Sequence, residues 1–316
     1  MRNKPADIPY GGLSAERIQS ASPKFDPKNR DYFIQFVIDR YSVHLKKDVI
    51  GDPKPWTTNP ILLDFKFTNI RREHDRTTKH LLGLLEEHKD APYGNKIMNI
   101  ILYRLFNKIE TSDLLGWVNF GKYDEDILRK RLRKAESGFN YFTNAFHTSG
   151  MRRQFRIKYP EEAFEPILFP RVCNELKSVV VKAIKKAKTP MEVIEALKQM
   201  EGIGNFLAYQ MFVDFTYLDE FPWSENEFVV SGPGCMMGLD FLFMDKDGLT
   251  YDELMFWLRD NCPITPEMCD KLMIDLPKHD RYMNVMSLEN CMCELSKYIR
   301  AAEGTGRPKN KYRGRC

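Results

Sequence analysis

Three observations predict an all-α fold. Apolar residues recur at helical spacing from Tyr32 onward, strand-like alternation is nearly absent, and short breakers ("GDPKPWTTNP", "KDAPYGN", "FPWSENEF", "SGPG") separate the helical stretches. Residues 1–30 are polar and rich in Pro and Gly, which predicts an irregular N-terminal arm. The helical stretches follow in order as "YFIQFVIDRYSVHL", "HLLGLLEEH", "KIMNIILYRLFNKIE", "DILRKRLRKAESGFNYFTNAF", "ELKSVVVKAIKKA", "MEVIEALKQM", "NFLAYQMFVDFTYL", "YDELMFWLRDNC" and "SLENCMCELSKYIRAA". Intervals between them are short, so residues 31–303 read as one helical domain and residues 304–316 as a basic C-terminal tail.

A chain of 316 residues, 43% apolar with 21 Phe, can bury one large core or two modest ones. No run of about 18 apolar residues occurs, and the N-terminus "MRNKPADIPYGG" lacks the apolar centre of a signal peptide. A cytoplasmic setting without membrane association is therefore expected. The seven cysteines lack CxxC spacing and have no accompanying His-x-Cys or His-x-Glu motif, so reduced thiols, no metal and no cofactor are expected. Net charge is +4, and the tail from Ala301, with five Lys/Arg against one Glu, carries an excess of the same size. The runs "RKRLRK" (Arg129–Lys134) and "KAIKKAK" (Lys182–Lys188) read either as solvated helix faces or as nucleic-acid contacts.

The stretch "MEGIGNFLA" (Met200–Ala208) lies between a helical "MEVIEAL" stretch and an apolar helix. In a helix-hairpin-helix, spanning about residues 191–218 here, Gly202 and Gly204 let the backbone turn tightly. They aim N–H groups at a phosphate, and the helix beginning at Asn205 adds its dipole. An ordinary helix-to-helix turn is the alternative. On the apolar helix that follows, Gln210 and Asp214 share one row at i, i+4. A buried carboxylate must be paired or used, so Asp214 reads as a structural cap or as a site residue.

Three further groups stand out. A helix starting near Asn69 as N-cap would put Arg72, Asp75, Arg76 and Lys79 on one face, as solvated ion pairs or as two guanidinium forks for one phosphate. Arg104 falls on the apolar stripe of Ile97, Ile100, Ile101 and Leu105, where it needs an anion, either a core carboxylate such as Asp113 or Asp214 or a ligand. On the last helix, Glu289, Cys293, Lys297 and Arg300 project away from the face of Leu288, Cys291, Met292, Leu295 and Ile299. By itself that pattern is an exposed helix face.

The hairpin resembles that of helix-hairpin-helix DNA glycosylases. The nucleophilic lysine of their bifunctional members is replaced here by Phe206, and their Pro-x-Asp setting reads Pro222, Trp223, Ser224. The ordered set "FTNIRREHDRTT", "ILYRLFNKIET", "YFTNAFHTSG", "EGIGNFLAYQMFVDFTY", "SGPGCMMGL" and "LENCMCELSKYIR", from about Phe33 to Arg313, resembles a bacteriophage family. Its members are described as alpha-glutamyl/putrescinyl thymine pyrophosphorylases, as amino acid:DNA transferases and as the helical domain of 5-hydroxymethyluracil DNA kinases.

The resemblance implies a helix-hairpin-helix DNA-glycosylase-like helical fold that flips a modified thymine out of double-stranded DNA without excising it. It then exchanges pyrophosphate on the exocyclic carbon for the nitrogen of an amino acid or polyamine, and a 5-hydroxymethyluracil DNA kinase is the implied partner that makes the substrate. The alternatives are a DNA glycosylase acting on a modified pyrimidine, with Asp214 or Glu225 in the aspartate's role, and a non-catalytic DNA-binding module. Such chemistry needs a carboxylate for the amine proton, Asp214 or Glu289, with Asp214 expected first because it lies on the helix launched by the hairpin. It also needs cations for the departing charge, Arg104 with Arg72 and Arg76, beside Asp75, Gln210 and Lys297. An aromatic wall is expected from Trp223, Phe228 and Tyr209. Backbone phosphates are expected to meet Gly202, Gly204, Asn205 and the tail residues Lys309, Lys311 and Arg313. "SGPG" reads as a tight turn whose N–H groups meet phosphate or carboxylate, or as a plain turn.

Overall fold

The computed structural model describes residues 9–120, 125–132, 134, 139, 141–142, 179–200, 203–264, 268, 283–308 and 311. Among them are thirteen α-helices and one two-stranded antiparallel pairing, and the chain forms two compact units, Arg76–Ser224 and Ala6–Asp75 with Glu225–Cys316. No helix among the described residues is long and apolar enough to cross a membrane.

The unit made from both ends of the chain begins with α1 (Ala15–Ser20), inside the stretch expected to be irregular. The Ser14 hydroxyl caps it by accepting from the Arg17 N–H. Strand β1 (Lys24–Phe25) pairs with β2 (Phe243–Asp245), too briefly for any alternation to show in sequence. Helix α2 (Pro27–His44) starts on the Asp26 carboxylate with Pro27 in its first turn, and runs on into a π-helical segment, Leu45–Ile50, that ends at Gly51 with φ 80°. After α3 (Pro60–Asp64), a single 3₁₀ turn spans Arg72–His74.

The other unit holds α4 (Arg76–Glu87), α5 (Tyr93–Phe106), α6 (Ile109–Leu115), α7 (Glu125–Leu132), α8 (Val181–Lys186), α9 (Pro190–Lys198) and α10 (Asn205–Phe215). Helices α5 and α10 are apolar almost all round and form its core, with every residue from Lys96 to Phe106 and from Leu207 to Phe215 buried. The side chain of Asn99 exchanges two hydrogen bonds with the Val118 backbone, at 2.9 and 3.0 Å, and so fastens the 116–120 segment to α5.

The first unit is completed by α11 (Pro233–Leu242), α12 (Tyr251–Asp260) and α13 (Val285–Ala302). Helix α13 is its axis and packs against α2, α3, α11 and α12. Gly234 and Gly238, one turn apart, let α11 lie directly on α13. A Cβ on Gly238 would stand 2.2 Å from the Met292 carbonyl oxygen, and one on Gly234 would stand 3.2 Å from Cys293 Sγ. Backbone cannot yield as a flexible side chain does, so Gly238→Ala is expected to destabilise the fold by about 1–3 kcal/mol, measured by urea denaturation. A neutral result would mean that the two helices are free to separate.

Candidate functional site

The close α11–α13 contact sets the position of Glu289, in the second turn of α13. Its side chain is 4% exposed and accepts a hydrogen bond from the Gly232 N–H at the start of α11. The preceding N–H, of Ser231, donates to Asp252 Oδ1 at 2.7 Å. Two consecutive donors at the positive end of α11 therefore meet carboxylates. Burial pushes the Glu289 carboxyl up to about 7, and the Asp252 charge adds to the rise. The Cys293 thiol, 3.5 Å from Oε1, the Arg72 charge and the Gly232 N–H all pull the other way without overcoming burial. A carboxylate that titrates near neutrality can accept and return a proton at physiological pH.

Arg72 belongs to a loop fastened to the same helix. Asn290, next to Glu289, donates from Nδ2 to the Asn69 carbonyl at 2.8 Å. The Asn69 N–H and side-chain amide each reach Asp75 Oδ1 at 3.1 Å, and the amide also reaches the His74 carbonyl at 2.9 Å. Burial raises the pKa of Asp75, opposed by the Asn69 backbone bond and the Arg72 and Arg40 charges. Arg72 thus acts on two carboxyls, Asp75 and Glu289, that are both held above their usual range. The structure brings these three site residues together. Lys297, two turns further along α13, is half-exposed and bonds Glu294 at 2.7 Å.

The helix expected from Asn69 does not form. Asp75 is extended (φ −71°, ψ 140°), and α4 begins only at Arg76, so Arg72 and Asp75 do not share a helical face with Arg76 and Lys79. The reason is local: Asn69 spends its amide on Asp75 and His74 and closes a loop instead of capping a helix. Arg76 is exposed, 3.6 Å from Glu110.

In the other unit Arg104 and Asp214 are bonded to each other, 1% and 0% exposed. The fork is two-pronged: Nη2 reaches Oδ1 at 2.9 Å, and Nε also bonds Oδ2. Nη1 donates to Asn107 Oδ1 at 2.6 Å and Nη2 to Thr78 Oγ1 at 3.2 Å. Asn107 ends α5 in the left-handed region (φ 47°), a conformation Asn tolerates. Of the partners open to Arg104 in sequence, the core carboxylate Asp214 is the one it holds. Gln210, one turn before Asp214, is buried. Trp223 is buried as well, with its ring centroid 5.2 Å from that of Phe221 and 6.3 Å from that of Phe212, and Tyr209 and Phe228 are also core residues.

Gly204 stands at the N-cap of α10 with an ordinary φ of −98° and offers no side-chain acceptor to that helix end. Gly204 and Asn205 are exposed, Ile203 is buried beneath them, and a Cβ on Gly204 would meet nothing within 4 Å. Lys311 forms an isolated antiparallel bridge with Phe65. Gly202, Lys309 and Arg313 lie outside the described residues.

Sequence reasoning missed Asn290 and Gly232, which hold the loop and the carboxylate, and misread Asn69. Only "SGPG" carried a signal, as a turn with N–H groups free for a carboxylate.

The 5-hmdU DNA kinase helical domain family matches residues 28–307. A 5-hmdU DNA kinase of Bacillus phage SP10 is 26% identical over 287 residues, covering 85% of this chain and 44% of the relative. The chain therefore spans less than half the length of that relative. No solved structure matches. With its match running from α2 through the end of α13, the chain belongs to the family of 5-hmdU DNA kinase helical domains.

Proposed function

We propose that the protein is a transferase of thymine hypermodification. It replaces the pyrophosphate of 5-(pyrophosphoryloxymethyl)uracil in DNA with the nitrogen of an amino acid or polyamine. One observation carries the reading: Glu289, buried beside Arg72, titrates at about 7. The neutral amine nitrogen bonds to the exocyclic CH₂ carbon, the carbon–oxygen bond to pyrophosphate breaks, and Glu289 takes the nitrogen's proton. Arg72 meets the charge on the departing pyrophosphate. Asp75 and the Asn69 amide position Arg72, and Lys297 supplies a second cation on α13. The membership in a family named for 5-hmdU DNA kinase supports a modified uracil in DNA as the substrate.

The α9–α10 turn is read as the helix-hairpin-helix of a glycosylase-like fold. The exposed N-terminus of α10, at Gly204 and Asn205, meets a phosphate of the DNA backbone. The Arg104–Asp214 pair, with Gln210 beside it, holds the helix that carries this turn and contributes to catalysis through position. Trp223 packs within the same core, and Arg76, exposed on α4, is a further phosphate contact.

The test is to incubate DNA carrying the pyrophosphorylated base with single candidate amines, then to digest it and weigh the nucleosides. Expected are an intact nucleoside with the mass of the added amine and one pyrophosphate released per product. Abasic sites would overturn the reading in favour of base excision, and unchanged nucleosides with retained DNA binding would reduce the protein to a binding module.

A further inference from the structure

A cleft of about 410 Å³ opens on the unit that carries Glu289, away from any residue given a role above except Asn69. Its walls come from three stretches: Arg40, Val43, Lys47 and Asp48 on α2 and its π-helical extension, Lys54 in the loop that follows, and Leu62 through Asn69. Its described lining holds four cationic residues, Arg40, Lys47, Lys54 and Lys66, and one acidic residue, Asp48.

The three lysines are exposed, whereas Arg40 is fixed at the base by bonds to the Phe67 carbonyl (3.2 Å) and Asn69 Oδ1 (2.6 Å). Asp48 offsets one charge, 3.3 Å from Lys47 and 2.9 Å from His44. The ammonium groups of Lys47 and Lys54 lie 5.8 and 5.3 Å from the centroid of the partly exposed Trp56 ring, which puts an aromatic face beside the cations.

A second observation points the same way. The backbone of Lys311 pairs with Phe65, a wall residue adjacent to Lys66, which brings one more lysine to the rim. Lysines on three separate stretches line the cleft as point charges. Point charges spread over a cleft suit a polyanion, whereas a single phosphate is best held by a two-pronged guanidinium, and the Arg40 fork bonds Phe67 and Asn69. The π-helical extension that displays Lys47 and Asp48 is itself a departure from regular helix of the kind that recurs at functional sites.

We propose that this cleft binds the sugar–phosphate backbone of DNA, through Lys47, Lys54 and Lys66, as a contact additional to the hairpin. The contact is indifferent to sequence, because ammonium groups on phosphates carry no base code. It rests on the reading that the protein acts on DNA.

The experiment measures anisotropy of a labelled, unmodified duplex across a salt series, with the full chain and with Lys47→Gln/Lys54→Gln/Lys66→Gln. All three positions are exposed, so the variant is expected to keep the wild-type melting temperature. The slope of log K against log salt should fall by about 2.7, and the affinity lost between 50 and 200 mM salt should shrink roughly 40-fold. Lys54→Gln alone should lower the slope by about 0.9. Lys24→Gln, which removes a charge paired with Asp245 on β1, should leave it unchanged.

An unchanged slope in the triple variant, with wild type binding the duplex, overturns the cleft proposal and leaves the transferase reading standing. Failure of wild type to bind any duplex overturns both. If free pyrophosphate raises the melting temperature of wild type but not of the triple variant, and the slope does not change, the cleft takes a small anion and the proposal fails.

Discussion

Glu289→Gln is expected to lose turnover and to gain stability in the same pH range. The proposed base is removed, so the rate should fall by about 10²–10⁴-fold. In wild type the rate should rise through pH 7 as the carboxyl, held at about 7, ionises, and the variant should lack that limb. Stability moves in the opposite sense. The unfolded chain releases this proton near 4.5, while the folded chain keeps it until about 7. Between those values the folded state binds more protons, so stability drops as pH rises and is then level. The whole penalty is about 3 kcal/mol, from 1.36 kcal/mol per unit, and is present in full above pH 7. Glutamine fills the same space, can still accept from Gly232 N–H, and never ionises. Urea denaturation at pH 8 should therefore show the variant more stable by up to about 3 kcal/mol, with no difference at pH 4. Retained turnover would remove Glu289 from the chemistry, and a variant less stable at pH 8 would mean that the carboxylate is ionised and held by Arg72.

The elements that periodicity reveals are those with a continuous apolar stripe. Helices α5, α10 and α13 appear where "KIMNIILYRLF", "NFLAYQMFVDF" and "SLENCMCELSKYIR" placed them, because each buries that stripe in a core. What periodicity cannot register is a loop closed by polar side chains. Asn69 looks like an N-cap, and only the fold shows its amide turned to Asp75. Strands β1 and β2, of two and three residues, are too short to alternate visibly. In the candidate site, Glu289 and Arg72 stood out by residue type, but they lie far apart in sequence. Their proximity depends on Asn290 and on the Gly238 contact that sets α11 against α13. Glu289 looked like one member of an exposed face, since nothing in the spacing of α13 announces that α11 covers it.

Arg104→Met is expected to melt far below wild type. The guanidinium is fully buried and holds Asp214 with two bonds, so its removal takes from a buried carboxyl its two-pronged partner. Breaking one side of such a pair costs about 3–5 kcal/mol, roughly 6–20 °C of melting temperature for a unit of this size. Asn107 and Thr78 lose a donor as well, which adds to the loss. Arg104→Lys should recover only part of it, because an ammonium cannot reproduce the fork. The double variant Arg104→Met/Asp214→Leu separates structure from chemistry. Replacing both charges with apolar groups of similar size is often close to neutral for stability, so most of the loss should be regained. If the pair acts through position alone, turnover returns with stability. A double variant that is folded, binds DNA and stays inactive would assign the pair a direct part in the reaction. A single Arg104→Met variant that keeps its melting temperature and loses turnover would show that this arginine leaves Asp214 for the departing pyrophosphate.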